Sequence, residues 1–125
     1  MKTQELLNHE ADTIVNEAQL IGGRNLRLAV KIISNGDSRR LKALASKIKT
    51  HQDLIVVLAY QDTNSRLTIA RSDHITHNAN RIIKQLCQEF GGRGGGRPEI
   101  AHAGGFQPES VPALIERAAE IIKAL

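Results

Sequence analysis

Leu54-Ile55-Val56-Val57-Leu58-Ala59-Tyr60 is an uninterrupted apolar run of strand length, and it decides how the rest of the chain is arranged. A run that is apolar at every position has no polar face to turn towards water, so strands of this kind are covered on both faces. We therefore predict that residues 54–60 form a central strand of a sheet.

Two alternating segments flank this run. Residues 26–32 place an apolar side chain at every second position, and residues 67–71 repeat the same period of two. Alternation of this kind predicts half-buried strands. The basic, apolar-periodic segment 37–50 predicts a helix between the first two strands, which makes them a parallel β-α-β pair. The short connection after residue 60 makes the third strand antiparallel to the second.

Three further helices are predicted from apolar residues at helical spacing: over residues 3–20, over about 78–90, and from Pro108 or Ser110 to the end of the chain. Thr76 or Asn78 can cap the second of them. The expected fold class is α/β, a small mixed β-sheet packed against helices in the order α-β-α-β-β-α-loop-α. Residues 1–22 are expected to form an N-terminal helix that ends a linker or mediates oligomerisation, and residues 23–125 a globular domain.

The loop in this order has the most unusual composition in the chain. Seven of the ten glycines lie within Gly91–Gly105, which reads GGRGGGRPEIAHAGG. Glycine reaches positive φ at little cost and lets another backbone or a phosphate come close. Free N–H groups beside two guanidinium groups form a concavity that binds anions. We expect an ordered loop, with some glycines at positive φ, that holds a phosphate or a nucleic-acid backbone.

The charge distribution points to the same class of partner. Residues 21–97 carry fourteen Lys and Arg against five Asp and Glu, whereas segments 1–20 and 98–125 are net acidic. A basic middle predicts a positive face and a polyanionic partner, although a solvated surface of mixed charge would give the same counts. The chain has two Phe, one Tyr and no Trp, so stacking of bases on aromatic side chains is a poor explanation for RNA binding.

Motifs for catalysis, cofactors or metals are not evident. The glycine run lacks the Gly-Lys-Ser/Thr ending of a P-loop and the preceding strand of a dinucleotide site. His74 and His77 lack further ligands and are expected to be capping or surface histidines. Cys87 lacks a base and is expected to be a partly buried structural cysteine. We therefore predict no catalytic residue, no cofactor and no metal.

The cellular setting is predicted from two simple features. A single cysteine fits a reducing compartment, and no segment approaches the 18 or so apolar residues of a membrane span. The expected location is cytoplasmic, without a membrane partner.

Residues 91–105 resemble the signature near the C-terminus of alanyl-tRNA synthetases, GG-[KR]-GGGRP-x-x-A-x-x-GG, and match it at every position. The order of helices and strands around them is similar too. The chain is thus identified as a member of the DHH-associated domain family. Phosphoesterases of that family usually carry a shorter glycine motif with histidine before proline, whereas Arg97-Pro98 is the synthetase form.

The resemblance implies a C-terminal module (C-Ala) that binds the outer corner of tRNA and aids aminoacylation and editing carried by other domains. On its own the chain would not be an enzyme; as a fragment it would be part of an alanine–tRNA ligase. The implied partner is tRNA, alanine tRNA within the synthetase, with a homodimer left open. The expected RNA-binding residues are Arg93, Gly94, Gly95, Gly96, Arg97, Pro98, His102 and Lys84. The alternative is a general nucleic-acid-binding or regulatory protein-interaction module.

Overall fold

The computed structural model describes residues 11–21, 26–33, 38–48, 51, 53–61, 65–73 and 75–124, with the backbone alone at 38–40. The helices are α1 (11–17), α2 (Ser38–Ile48), α3 (Ala79–Phe90) and α4 (Val111–Ala124), the last preceded by a 3-10 turn at Pro108–Ser110. The strands are β1 (Gln19–Leu20), β2 (Arg27–Ile33), β3 (Leu54–Tyr60), β4 (Ser65–Arg71), β5 (Arg93–Gly96) and β6 (Ile100–Phe106).

The six strands form one mixed sheet in the order β1-β2-β3-β4-β6-β5. β2 and β3 are parallel, and the other four pairs are antiparallel. β3 is hydrogen-bonded on both sides, and Leu54–Ala59 are all buried. The expected fold class and the central position of residues 54–60 are therefore confirmed.

Alternate residues of β3 feed two hydrophobic clusters, one on each face of the sheet. Ile55 and Val57 belong to a cluster closed by α3 and α4, whereas Val56 and Leu58 belong to one closed by α1 and α2. Successive side chains of a strand point to opposite faces, so one apolar run supplies both cores. This is why the run carries no polar position.

Two features fix α3, the helix that leads into the glycine run. Asn78 caps its start, with Oδ1 accepting a hydrogen bond from the Arg81 N–H at 3.1 Å. At the other end, Glu89 accepts a 2.8 Å hydrogen bond from Arg117 Nε of α4, which lowers the pKa of that carboxyl. These contacts define the start of α3 and join its end to α4 before the chain enters the glycine run. Of the helices in the described ranges, none combines the length and apolarity needed to cross a bilayer.

The N-terminal helix ends earlier than expected. The described helical residues are 11–17, and Gln19 and Leu20 instead pair with Leu28 and Arg27 as strand β1. Residues 1–10 of the expected helix lie outside the described residues. The open edge of β2 offers backbone hydrogen bonds that a last helical turn would forgo, so tertiary pairing overrides helical periodicity here.

The segment expected as a loop is a pair of strands. Arg93–Gly96 and Ile100–Phe106 form β5 and β6, which extend the sheet beyond β4. Glycine is depleted in strands because it lacks a side chain to pack, so composition argued for a loop. The reason that glycine is used here is steric, because β6 lies too close to β5 for side chains at several of these positions.

Candidate nucleic-acid interface

The glycine run is an ordered hairpin whose turn is tied to the neighbouring elements. Arg97 donates its N–H to the Ile100 carbonyl at 2.9 Å, which closes a two-residue turn at Pro98 and Glu99. The Pro98 carbonyl accepts the N–H of Ala79 at the start of α3, at 2.8 Å, and the Glu99 carbonyl accepts the N–H of Arg71 at 3.0 Å. Backbone groups at the turn thus position it against α3 and β4.

Three glycines are required because β6 comes too close for any side chain. A Cβ at Gly96 would lie 2.7 Å from the Ile100 carbonyl oxygen. At Gly94 it would overlap the His102 carbonyl oxygen, and at Gly92 the Phe106 ring. Phe106 is fully buried, so it is this ring that fixes the entry to β5.

Gly95 faces α3. A Cβ there would lie 3.1 Å from Asn80 Oδ1 and 3.6 Å from Lys84 Cε. Asn80 Oδ1 also accepts the N–H of Gly96 at 3.1 Å, which satisfies a backbone donor of the edge strand. Lys84, one of the expected RNA-binding residues, therefore lies next to the glycine run, with its side chain beside β5.

Positive φ occurs at both ends of the run, as predicted for some of its glycines. Gly91 has φ 85° and ends α3 with its N–H donated to the Cys87 carbonyl at 2.8 Å. Gly105 has φ 82° and lies at a shift in the pairing of β6 with Ser65 and Arg66. Both are conformations that a residue with a Cβ adopts at a cost.

Exposed cations gather around the hairpin. Arg93 and Arg97 are exposed at the two ends of β5, and Lys84 and Arg81 are exposed on α3. No carboxylate among the described residues is within ion-pair distance of any of these four, since the described ion pairs belong to Lys31 and Arg117. The hairpin and α3 thus present positive charge that the described part of the chain does not neutralise.

His102 lies apart from Arg97 and Lys84, in a cleft of about 180 Å³ beside α2. Its Nδ1 is 3.0 Å from the Thr68 hydroxyl. Burial and, second, the charge of Lys42 lower the pKa of its imidazole. We call this cleft the basic cleft. Its lining includes five polar or charged side chains and one glycine: Lys42, Arg66, Thr68, Arg93, His102 and Gly104.

The structure therefore divides the predicted site residues. Gly94–Pro98 and Lys84 lie along β5, its turn and α3, His102 lies in the basic cleft, and Arg93 lines that cleft from the edge strand. Lys42 and Arg66, which were not among the predicted site residues, line the same cleft. Alternate residues of a strand share a face, so residue 66 of β4 lies on the same face as Thr68. This alternation is the sequence signal from which Arg66 could have been predicted.

The expectation of a capping or surface histidine is wrong for His77. It is buried, with Nε2 3.2 Å from the Ile122 carbonyl oxygen, and the cap of α3 is Asn78. His74 lies outside the described residues. No group of three metal-ligating side chains exists in the described part of the chain. Burial raises the pKa of the half-buried Cys87 thiol, which disfavours the reactive thiolate and agrees with the predicted structural cysteine.

The sequence is similar to a known domain family and to known enzymes. The family model of the DHHA1 domain matches residues 25–124. The alanine–tRNA ligase of Halalkalibacterium halodurans is 31% identical over 126 aligned residues, which cover 97% of this chain and 14% of the ligase. The chain thus spans about one seventh of that relative's length.

Solved structures agree on the fold. The C-Ala domain of Aquifex aeolicus alanyl-tRNA synthetase matches with a TM-score of 0.76 at 22% identity, covering 86% of this chain and 98% of that one. RecJ from Thermus thermophilus, in complex with Mn²⁺, matches with a TM-score of 0.69 at 16% identity over 98% of this chain and 17% of RecJ. At these identities the matches establish the architecture alone.

Proposed function

This chain belongs to the DHHA1 domain family, as its match to the synthetase signature predicted, and on that premise we propose that it is a tRNA-binding module that holds the outer corner of tRNA. The relatives that it matches by sequence include alanine–tRNA ligases. We place the module in such a ligase, with residues 23–125 as the binding domain and aminoacylation and editing carried by other domains.

The observation that carries the proposal is the row of unneutralised cations along the edge strand. Arg93 and Arg97 are four positions apart, hence roughly 13 Å along an extended chain, and can contact different phosphates. Lys84 lies beside Gly95, between them. Arginine donates in a planar fork that fits a phosphate, and lysine adds a point charge.

The chemistry of this surface suits a folded RNA better than a single strand. Tyr60 and Phe90 are half-buried and Phe106 is buried, so these aromatics do not form a platform for bases. Structured RNA is recognised largely through its shape, its phosphates and its 2′-hydroxyl groups. A rigid hairpin with fixed cations provides such contacts without base readout.

Salt dependence of tRNA binding tests the proposal. We expect the chain to bind tRNA with an affinity that falls steeply as salt rises, because each neutralised phosphate releases a counterion. Titrations of labelled tRNA at several salt concentrations measure the slope, with a duplex DNA of equal charge as the matched competitor. Equal affinity for the DNA would favour general nucleic-acid binding, and tRNA binding that is absent or insensitive to salt would contradict the proposal.

A second expectation concerns chemistry. The isolated chain should neither charge tRNA with alanine nor release alanine from mischarged tRNA, because it carries no predicted catalytic group. Both reactions are measured with radiolabelled alanine, using a full-length synthetase as the positive control. Release of alanine that a chelator abolishes would instead reveal a metal-dependent hydrolytic site.

A further inference from the structure

The basic cleft has the charge for an anion and a size that suits a small one. Its volume of about 180 Å³ is below the roughly 300–1,000 Å³ of pockets that bury drug-sized ligands. Three cationic side chains line it, from Lys42, Arg66 and Arg93, and no described carboxylate does. We propose that the basic cleft is a seat for a single phosphate group. This inference rests on the proposed function only if the bound phosphate is part of tRNA.

Strand register explains how the two arginines face one point. Gly104 pairs with Arg66 of β4 on one side and with Arg93 of β5 on the other. Neighbouring strands are about 4.8 Å apart, so the two arginine stems stand roughly 10 Å apart with no side chain between them. Guanidinium groups on such stems can donate to the same oxyanion from opposite sides.

A bulge ends the regular pairing next to this row. The register between β4 and β6 shifts at Ser65 and Arg66, where Gly105 adopts φ 82°. Bulges of this kind bend the strand and redirect the adjacent side chain, and they are enriched beside functional sites. The bulge in β6 therefore lies directly beside Arg66, at the edge of the cleft that Arg66 lines.

The next row of the sheet supplies polar groups to the cleft. Thr68, 2% exposed, pairs in register with His102, and its hydroxyl lies 3.0 Å from Nδ1. A hydroxyl that donates to Nδ1 leaves the proton of the neutral imidazole on Nε2, where it can be donated to a ligand. Burial lowers the pKa of His102 first, and Lys42 lowers it second. A bound anion acts in the opposite sense and raises that pKa.

The phosphate can come from two sources: a phosphodiester within folded tRNA, or a terminal or free phosphate. The geometry is the same for both, because each presents oxygens that accept from Arg66, Arg93 and Lys42. The first experiment therefore uses inorganic phosphate, and the second distinguishes a phosphodiester of tRNA from a terminal phosphate.

The first experiment is a titration of the isotope-labelled 125-residue chain with inorganic phosphate, followed by NMR. We expect saturable shifts confined to the lining of the basic cleft, namely Lys42, Arg66, Thr68, Arg93, His102 and Gly104. Lys42→Ala combined with Arg66→Ala should abolish the saturation, while Lys123→Ala on α4 should retain it. In a pH series with sulfate, which keeps its charge, the pKa of His102 should rise. Shifts that do not saturate, or that survive in the double variant, would overturn the proposal.

The second experiment compares tRNA, a short 5′-phosphorylated RNA and the same RNA without that phosphate. If the site takes a backbone phosphodiester, the Lys42/Arg66 double variant should bind tRNA at least about tenfold more weakly, as expected for lost charge-assisted hydrogen bonds. If the site binds a terminal phosphate, the double variant should bind only the 5′-phosphorylated RNA more weakly than the wild-type chain does.

The two proposals can fail separately. Unchanged tRNA affinity in the double variant, together with no phosphate response in the wild-type chain, refutes the cleft and leaves the tRNA proposal standing. A wild-type chain that does not bind tRNA refutes the tRNA proposal, while the phosphate titration still decides the fate of the cleft.

Discussion

Gly94→Val is expected to destabilise the chain by at least about 3 kcal/mol, at the upper end of what overpacking costs. The reason is that the new Cβ would overlap the His102 carbonyl oxygen and the Ala103 Cα, which belong to the backbone of β6 and cannot rotate away. Urea unfolding followed by circular dichroism measures the loss, and hydrogen exchange at His102 and Gly104, whose N–H groups face β5, reports whether β5 alone detaches.

Gly95→Ala is the matched control, one residue away in the same strand. Its Cβ would meet Asn80 Oδ1 at 3.1 Å, the end of a side chain that can adjust, so the cost should stay at about 1 kcal/mol or less. A wild-type unfolding midpoint in Gly94→Val would mean that β5 does not lie against β6 as described. Because a Cβ at position 94 or 96 would clash with the backbone of β6, valine at these positions tests folding rather than RNA binding. A substitution at position 95 gives the effect on RNA binding that is least confounded by misfolding.

Arg93→Ala combined with Arg97→Ala is expected to weaken tRNA binding by about 1–3 kcal/mol and to flatten its salt slope by roughly two units. Both side chains are exposed on the edge of the sheet, without an ion-pair partner among the described residues, so their loss leaves no buried charge behind. Titrations across a salt series give the affinity and the slope from one data set.

A variant with the same change in net charge is the control for this pair. Lys31→Ala combined with Lys123→Ala removes two cations from β2 and α4, where Lys31 makes only a long 3.7 Å contact with Glu17. Such surface pairs contribute little to stability. If this control weakens tRNA binding as much as the arginine pair does, the effect is one of overall charge and the assignment of Arg93 and Arg97 is wrong.

Much of the architecture was predictable because it depends on periodicity. The alternation in residues 26–32, the uninterrupted apolar run of 54–60 and the helical period of 79–90 arise from burial on one or both faces, and burial is recorded locally in the sequence. The N-terminal helix was predicted too long because nothing local distinguishes its last turn from strand β1. Which segment Gln19 and Leu20 pair with depends on β2, further along the chain.

Prediction of the site was incomplete for a related reason. The glycine run, with Arg93 and Arg97, could be identified from composition, and His102 was singled out by its place in the same segment. Lys42 and Arg66 belong to other segments of the chain. The register of β4, β6 and β5 brings Arg66 near Arg93, and the packing of α2 on the sheet brings Lys42 to the same cleft. Long-range register is set by packing and by the bulge at Gly105, and neither is visible in a local pattern.

By itself, the sequence determined the fold class, the central strand and the family, and it limited the cap of α3 to Thr76 or Asn78, because each of these depends on residue type and spacing within a short segment. Only the tertiary structure decided that the glycines form a strand. Their function is to let β5 approach β6 and α3 more closely than any side chain allows. The structure also decided which cations share a surface, because the distance between residues remote in sequence is fixed by strand order and register.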